Sequence, residues 1–196
     1  MNKFRFEAFS DSVFAFAITL LILGIALPEM HYATNHDLTA ALLHVWPNLI
    51  AYALSFAVIG IMWQNHQALF RLVERIDRRT VFFNLLLLAG TAFIPFATNT
   101  LGSYPTMQAA AFLYGLALSF TGAIYNVIVY HLVRTRAFNA GVSDATIAQT
   151  VRAYRAAWVT YTLATLLALV APVVSFGAYM AVALYGLIPH GVDADI

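Results

Sequence analysis

Few side chains in this sequence can do chemistry, and they stand in apolar surroundings. Asp11 lies about seven residues, or roughly 10 Å at 1.5 Å per residue, into an apolar run that continues Val13-Phe14-Ala15-Phe16. His66 closes a second run, behind Trp63 and Asn65. An ionisable group inside an apolar span is a functional candidate by default, as a proton relay, a pathway group or a buried clamp. A carboxylate there must be paired, hydrated or protonated. Arg5 is six positions away, about 600° around a helix, so it is off the Asp11 face. The partner must come from another helix. Matched depth on antiparallel spans points to His66, with an indole at Trp63 and an amide at Asn65. This predicts Asp11 and His66 within direct or one-water hydrogen-bond reach, with Arg5 and Asn65 nearby. Glu7 and Arg155 sit nearer an interface. His131 and Tyr130 end another run, one turn beyond Tyr125 and Asn126, and read as interface anchors.

Other chemistry finds no residues to carry it. There is no cysteine, so thiol catalysis, disulfides and Cys-based metal sites are excluded. His31 and His36 share a loop without a third ligand or a carboxylate cage, so a solvated loop is the better reading. No nucleophile elbow, HExxH, phosphate-binding glycine loop or Thr-Val-Gly-Tyr-Gly filter occurs. Enzyme activity and a resident metal or cofactor are not expected.

The elements that must position Asp11 and His66 follow from composition. Apolar residues make up 62% of the 196, charged residues 10%, and the net charge is +1. A soluble domain runs near 45–50% apolar and about 25% charged. A nucleic-acid binder needs a basic stripe that is missing here. The fold class expected is all-α membrane protein, with residues 1–196 as one transmembrane domain. Six spans of roughly 20 residues fit: about 4–27, stopped by Pro28; 47–70; 80–100; 106–133; 144–170, capped by Ser143 or Asp144; and a short 173–188 between Pro172 and Pro189. The segment 38–46 is apolar but short, and Pro47 kinks or breaks it. Lys3 and Arg5 do not mark a cleaved signal, because Glu7 and Asp11 follow and no cleavage site precedes soluble sequence. Leu-Tyr-Gly-Leu at 113–116 and 184–187 is a chance repeat.

Every Lys and Arg falls in three places. Lys3 and Arg5 lead the chain; Arg71, Arg75, Arg78 and Arg79 join spans two and three; Arg134, Arg136, Arg152 and Arg155 flank the fourth link. Six spans put all three on one side, cytoplasmic by the positive-inside rule in a cell membrane. The opposite loops carry Glu29 and Asp37, and the tail Asp193 and Asp195. Glu74 and Asp77 among the arginines read as a tight, charge-laced hairpin. On the first span, Ser12, Phe16, Thr19, Leu23 and Leu27 recur at helical spacing. Periodicity alone favours ordinary packing for that stripe.

Arg5-x-x-x-Phe9-Ser10-Asp11 with Val13-Phe14-Ala15-x-Ala17-Ile18-Thr19-Leu20-Leu21 resembles the signature of the transmembrane protein 175 family of lysosomal and prokaryotic potassium channels. Met62-Trp63-x-x-His66, Asn84-Leu85-Leu86-Leu87 and Phe93-Ile94-Pro95-Phe96 agree. These motifs cover the first three spans; the last three resemble the family only in number and length. The resemblance implies six helices per chain and a homotetramer whose first helix lines a central pore. It implies apolar constriction layers at Phe16, Leu20 and Leu23 in place of a carbonyl filter. Ser12, Thr19 and Leu27 would line the pore beside them. Arg5, Ser10, Asp11, Trp63, Asn65 and His66 would form the polar network behind it. Potassium would be the permeant ion, and its preference over sodium is often modest in prokaryotic members. Phe16 departs from the family, which usually has isoleucine at the first layer; Ser12 replaces a small glycine or alanine.

The leading function is thus a potassium-preferring cation channel in the bilayer, its partner a second copy of itself. The alternative is a proton-coupled secondary transporter using Asp11 and His66. Broken midplane helices and inverted repeats, which transporters favour, are missing here.

Overall fold

The computed structural model describes residues 2–27 and 34–186. Among them the chain is all-α, with seven α-helices: α1 (Lys3–Leu20), α2 (Asn35–His44), α3 (Trp46–Arg71), α4 (Arg78–Ser103), α5 (Gln108–Arg134), α6 (Asp144–Leu167) and α7 (Pro172–Gly186). A 3₁₀ turn, Leu21–Gly24, extends α1.

Helix ends follow local chemistry. The Asn2 side chain accepts from the Phe4 N–H at 3.0 Å to start α1. Ser143 caps α6 by accepting from Thr146 N–H at 3.1 Å, which settles the choice left open between Ser143 and Asp144. The seventh helix is the one not anticipated. Residues 38–44 of the segment belong to α2, opened by a capping box between Thr34 and Asp37 and closed at Val45, and Trp46 already starts α3. Pro47 sits in the first turn of α3, where a missing N–H costs nothing. Pro47 therefore separates two helices instead of kinking one.

Among the described residues four helices are long and apolar enough to cross a membrane: α1 with its 3₁₀ turn, α3, α4 and α5. The helix α6 is 24 residues long but carries Arg152 and Arg155, and α7 is a shorter apolar helix. The expected sixth span ends at residues 187 and 188, outside the described residues. So do Pro28, Glu29, His31, Pro189, Asp193, Asp195 and the last residue of the second Leu-Tyr-Gly-Leu.

Packing runs in chain order. The helix α4 lies along both α3 and α5, α5 along α6, and α1 against α3 and α4. The helix α7 closes the far side against α3, α5 and α6. Small residues permit the closest approaches. A Cβ on Gly102 would stand 2.8 Å from the Asn48 Cα, and one on Gly115 would collide with the hydroxyls of Tyr179 and Thr165.

The hairpin between α3 and α4 is not laced by charge. Among the described residues, no arginine lies within salt-bridge distance of a carboxylate. Backbone bonds hold it instead: Glu74 N–H donates to Ala137 O at 2.8 Å and Asn139 N–H to Leu72 O at 2.9 Å. Lys3 Nζ reaches Val73 O at 2.7 Å, tying the start of α1 to the same loop. His131 is a tether here rather than an interface anchor. Its Nε2 lies 2.9 Å from Asp77 Oδ2, and its ring meets Phe83 edge-on.

Candidate functional site

The helix α1 has two faces with opposite fates. Phe6, Ser10, Phe14, Ala17 and Leu21 are each 2% exposed or less. Their spacing of four, four, three and four residues makes one continuous stripe, pressed on α3 and α4. Ser12, Phe16, Thr19, Leu20, Leu23 and Leu27 are all exposed. Phe16 reaches 68% and Leu23 74%. Among the described residues nothing covers this second stripe from Ser12 to Leu27.

The stripe is not one regular helix throughout. The α-helix stops at Leu20, and Leu23 sits in the 3₁₀ turn. A 3₁₀ turn advances three residues per full rotation, so Leu23 stands directly above Leu20. Gly24 ends the turn close to α4, where a Cβ would meet Asn99 Cβ at 3.0 Å. Ile25 is already extended. Leu27 therefore lies beyond the helix in irregular chain, which corrects its expected place on the helical stripe. Gly24 and the proline after Leu27, which disfavours helical backbone before it, account for the change.

Two hydroxyls on the exposed stripe spend their protons on their own helix. Ser12 Oγ donates to Ala8 O at 2.8 Å and Thr19 Oγ1 to Phe16 O at 2.9 Å. Their oxygen lone pairs are left to face outward, toward whatever occupies that side.

Behind the stripe, polar groups join α1 to α3 and α4. Trp63 Nε1 donates to Asp11 Oδ1 at 2.9 Å, and Gln67 Nε2 approaches the same oxygen at 3.5 Å. His66 Nε2 lies 2.9 Å from Asn84 Oδ1, Asn84 Nδ2 donates to Ser10 Oγ at 2.9 Å, and Ser10 Oγ donates to Phe6 O at 3.0 Å. The rings of Phe6, Phe14 and Phe70 enclose His66, at centroid distances of 6.0, 5.4 and 4.6 Å. No buried polar side-chain atom among the described residues lacks a partner.

This arrangement corrects the expected Asp11–His66 pair. Ser10 and Asp11 are adjacent, hence about 100° apart on the helix. Ser10 turns to α4 while Asp11 turns to the Trp63 and Gln67 edge of α3. Two chains of bonds result, one on each side of α1. Arg5 is exposed and takes no part in them. Asn65 contributes its backbone carbonyl, which accepts from Tyr154 OH at 2.7 Å. Gln67 and Asn84 complete the network. Gln67 was legible as the position four beyond Trp63, on the same face. Asn84 was legible as an amide among apolar neighbours within a span, where an unpaired amide is costly.

At the outer end, a cavity of about 530 Å³ opens beside Leu23 and Gly24. Asn48, Asn99, Ser103 and His44 furnish its polar wall. No group of three or more His, Cys, Asp or Glu residues that could hold a metal exists among the described residues.

Known proteins resemble this chain in sequence and fold. The family model of the endosomal/lysosomal potassium channel TMEM175 matches residues 5–95. A potassium channel of Streptomyces collinus is 43% identical over 135 residues, covering 67% of this chain and 65% of its own length. The chain thus spans slightly under two thirds of that relative. A potassium channel of a Chryseobacterium species is 31% identical over 189 residues, covering 96% of this chain and 94% of the relative. The crystal structure of a lysosomal potassium-selective channel TMEM175 homolog from Chamaesiphon minutus superposes with a TM-score of 0.85 at 32% identity. That superposition covers 94% of this chain and 96% of that one.

Proposed function

The chain belongs to the TMEM175 family of potassium channels and is embedded in a membrane, and on that footing we propose that it conducts potassium through a homotetrameric pore lined by α1. The observation that carries this is the bare stripe Ser12–Phe16–Thr19–Leu20–Leu23, opposite a face locked into the bundle. One chain cannot enclose an axial pore with a single lining helix. Four copies around an axis bring four such stripes together and cover them.

Phe16, Leu20 and Leu23 then form the constriction. An apolar ring strips or excludes water and passes ions only when it wets or dilates. No carbonyl ring replaces the hydration shell. Discrimination therefore rests on dehydration cost, which is lower for potassium than for the more strongly hydrated sodium. Phe16 adds ring faces that attract a cation. Ser12 below it and Thr19 above offer outward lone pairs where a partly stripped ion can rest. Leu27 lies at the outer mouth, beside the amide and hydroxyl groups of Asn48, Asn99 and Ser103. Potassium is the cargo, and the mechanism uses no cofactor. The N-terminus and the arginine-rich loops face the cytoplasm of a cell membrane, by the positive-inside rule.

Proton-coupled transport loses support from the same geometry. A relay between Asp11 and His66 needs them linked. Each is instead bonded to groups that do not titrate, Trp63 and Gln67 for one and Asn84 for the other.

The test is reconstitution of the purified chain in vesicles, with potassium and sodium flux measured side by side. The expected result is passive flux with potassium ahead, unaffected by collapse of a pH gradient. Flux that requires the pH gradient would overturn the proposal.

A further inference from the structure

Arg155 stands in α6 with no acidic residue three or four positions away; the neighbours there are Val151, Arg152, Trp158 and Val159. Arg152 is one turn earlier and equally without a carboxylate at helical spacing. Both are exposed, and neither lies within salt-bridge distance of an acid among the described residues. Unpaired guanidiniums are ordinary in water but not within a bilayer.

The depth of Arg155 follows from its contacts. Asn126 Nδ2 donates to Tyr154 O at 3.0 Å, and Gly122 faces Trp158 closely enough that a Cβ would meet its Cδ1 at 3.3 Å. Arg155 is therefore level with Asn126, eight residues or about 12 Å inward from the end of α5. At 27 residues, α5 is about 40 Å long, some 10 Å more than a hydrocarbon core. Shared between two ends, that overhang leaves the Arg155 backbone inside the core by about 7 Å. Its long side chain can reach the headgroup level from there.

A groove of about 450 Å³ lies at this place, between α5 and α6. Ala123, Val127 and Trp158 give it apolar walls level with Arg155 and deeper, while Val133 and Val151 line it toward the headgroups. Tyr130, 65% exposed, stands at the cytoplasmic end of the groove. Apolar walls running inward under a free cation suit one amphiphile: an acyl chain below and an acidic headgroup above. A second copy of the chain is a poorer occupant. Among the described residues the acid at comparable depth is Asp11, and it already bonds Trp63, so a neighbour brings no spare carboxylate to the level of the groove's apolar walls.

We propose that the α5–α6 groove is a site for an anionic glycerophospholipid, its phosphate on Arg155 and one acyl chain between Val127 and Trp158. The second positive charge at Arg152 favours an anionic over a zwitterionic headgroup, whose own ammonium would be repelled.

Native mass spectrometry of the full chain, purified from vesicles of equal phosphatidylglycerol and phosphatidylcholine, tests this. The wild type is expected to retain phosphatidylglycerol at least threefold over phosphatidylcholine. Arg155→Gln should bring that ratio to about one, and Arg155→Lys should restore most of it. Val127→Phe, which fills the groove without touching charge, should reduce retention of both lipids. An unchanged ratio in Arg155→Gln overturns the proposal. So does a Val127→Phe variant that changes the oligomer mass while keeping its lipid, since the groove would then be an interface between copies.

Discussion

Phe16 is the residue on which the proposed conduction mechanism turns, since there it would combine the first apolar layer with an aromatic face. Phe16→Asn should raise conductance and lower the potassium preference, read in bilayer recordings. Leu163→Ala, an exposed position on α6, should change neither. The polar network behind the stripe has a separate role, holding α1 against α3 and α4. Trp63→Phe removes the better of two donors to Asp11, a hydrogen bond worth at least about 0.5–1.5 kcal/mol. It should lower thermal stability of the assembled protein and leave the ion preference unchanged. Asn84→Leu strips both His66 and Ser10 of a partner, and should cost about 0.5–2 kcal/mol on the scale of hydrogen bonds between membrane helices. At this scale the sequence carried identities but not pairings. The need of Asp11 for a partner from the second span was legible from depth alone. Which donor met it depended on the 100° between Ser10 and Asp11, and on Asn84 competing for His66. Span depth says nothing about rotation about a helix axis.

Among the elements, α1 and α4 bear the mechanical load. The 3₁₀ turn Leu21–Gly24 closes the first helix, a common form for a helix's last turn, and sets Leu23 over Leu20. Hydrophobic period could not reveal it, because every residue from Leu20 to Leu23 is apolar. Span boundaries were legible because Pro, Gly and capping residues set them. The helix α2 was not, since its capping box lies in a stretch whose apolar part is only a few residues long. Gly102 lets α3 and α4 meet at their outer ends. Gly102→Ala places a methyl against the Asn48 backbone, which cannot rotate away. The cost should be about 1–3 kcal/mol, the range for overpacking, seen as a lower unfolding midpoint. The helix α4 also has a pH-dependent cap. Partial desolvation pushes the Asp77 carboxyl up. Hydrogen bonds from the Thr80 N–H and hydroxyl and from His131 outweigh that, and hold it at about 2 against an ordinary 3.8. A depressed carboxyl contributes its stability above the ordinary value and loses it as pH falls through the folded one. Stability should therefore decline between about pH 4 and pH 2. Asp77→Asn keeps a good cap and should remove that share of the acid sensitivity. A thermal melt series across this range checks it.

The whole molecule has one feature that a single chain cannot satisfy. Its first helix is fixed by Phe6, Phe14 and the Ser10–Asn84–His66 chain, yet its other face stays bare among the described residues. The membrane class was legible from composition. The expectation of assembly came only through family resemblance, because an apolar stripe reads alike whether it faces lipid, a neighbour or a pore. The central claim is that this stripe faces a conducting pathway, and the chain offers a clean way to test it, having no cysteine of its own. Single substitutions Ser12→Cys, Phe16→Cys, Leu23→Cys and Leu163→Cys supply one thiol each. Silver, a monovalent cation close to potassium in size, reacts with a thiol wherever it can travel. With channels conducting in a bilayer, silver should irreversibly block current through the three stripe variants and spare the wild type and Leu163→Cys. Conducting Phe16→Cys and Leu23→Cys channels that silver leaves untouched would contradict a pore lined by α1.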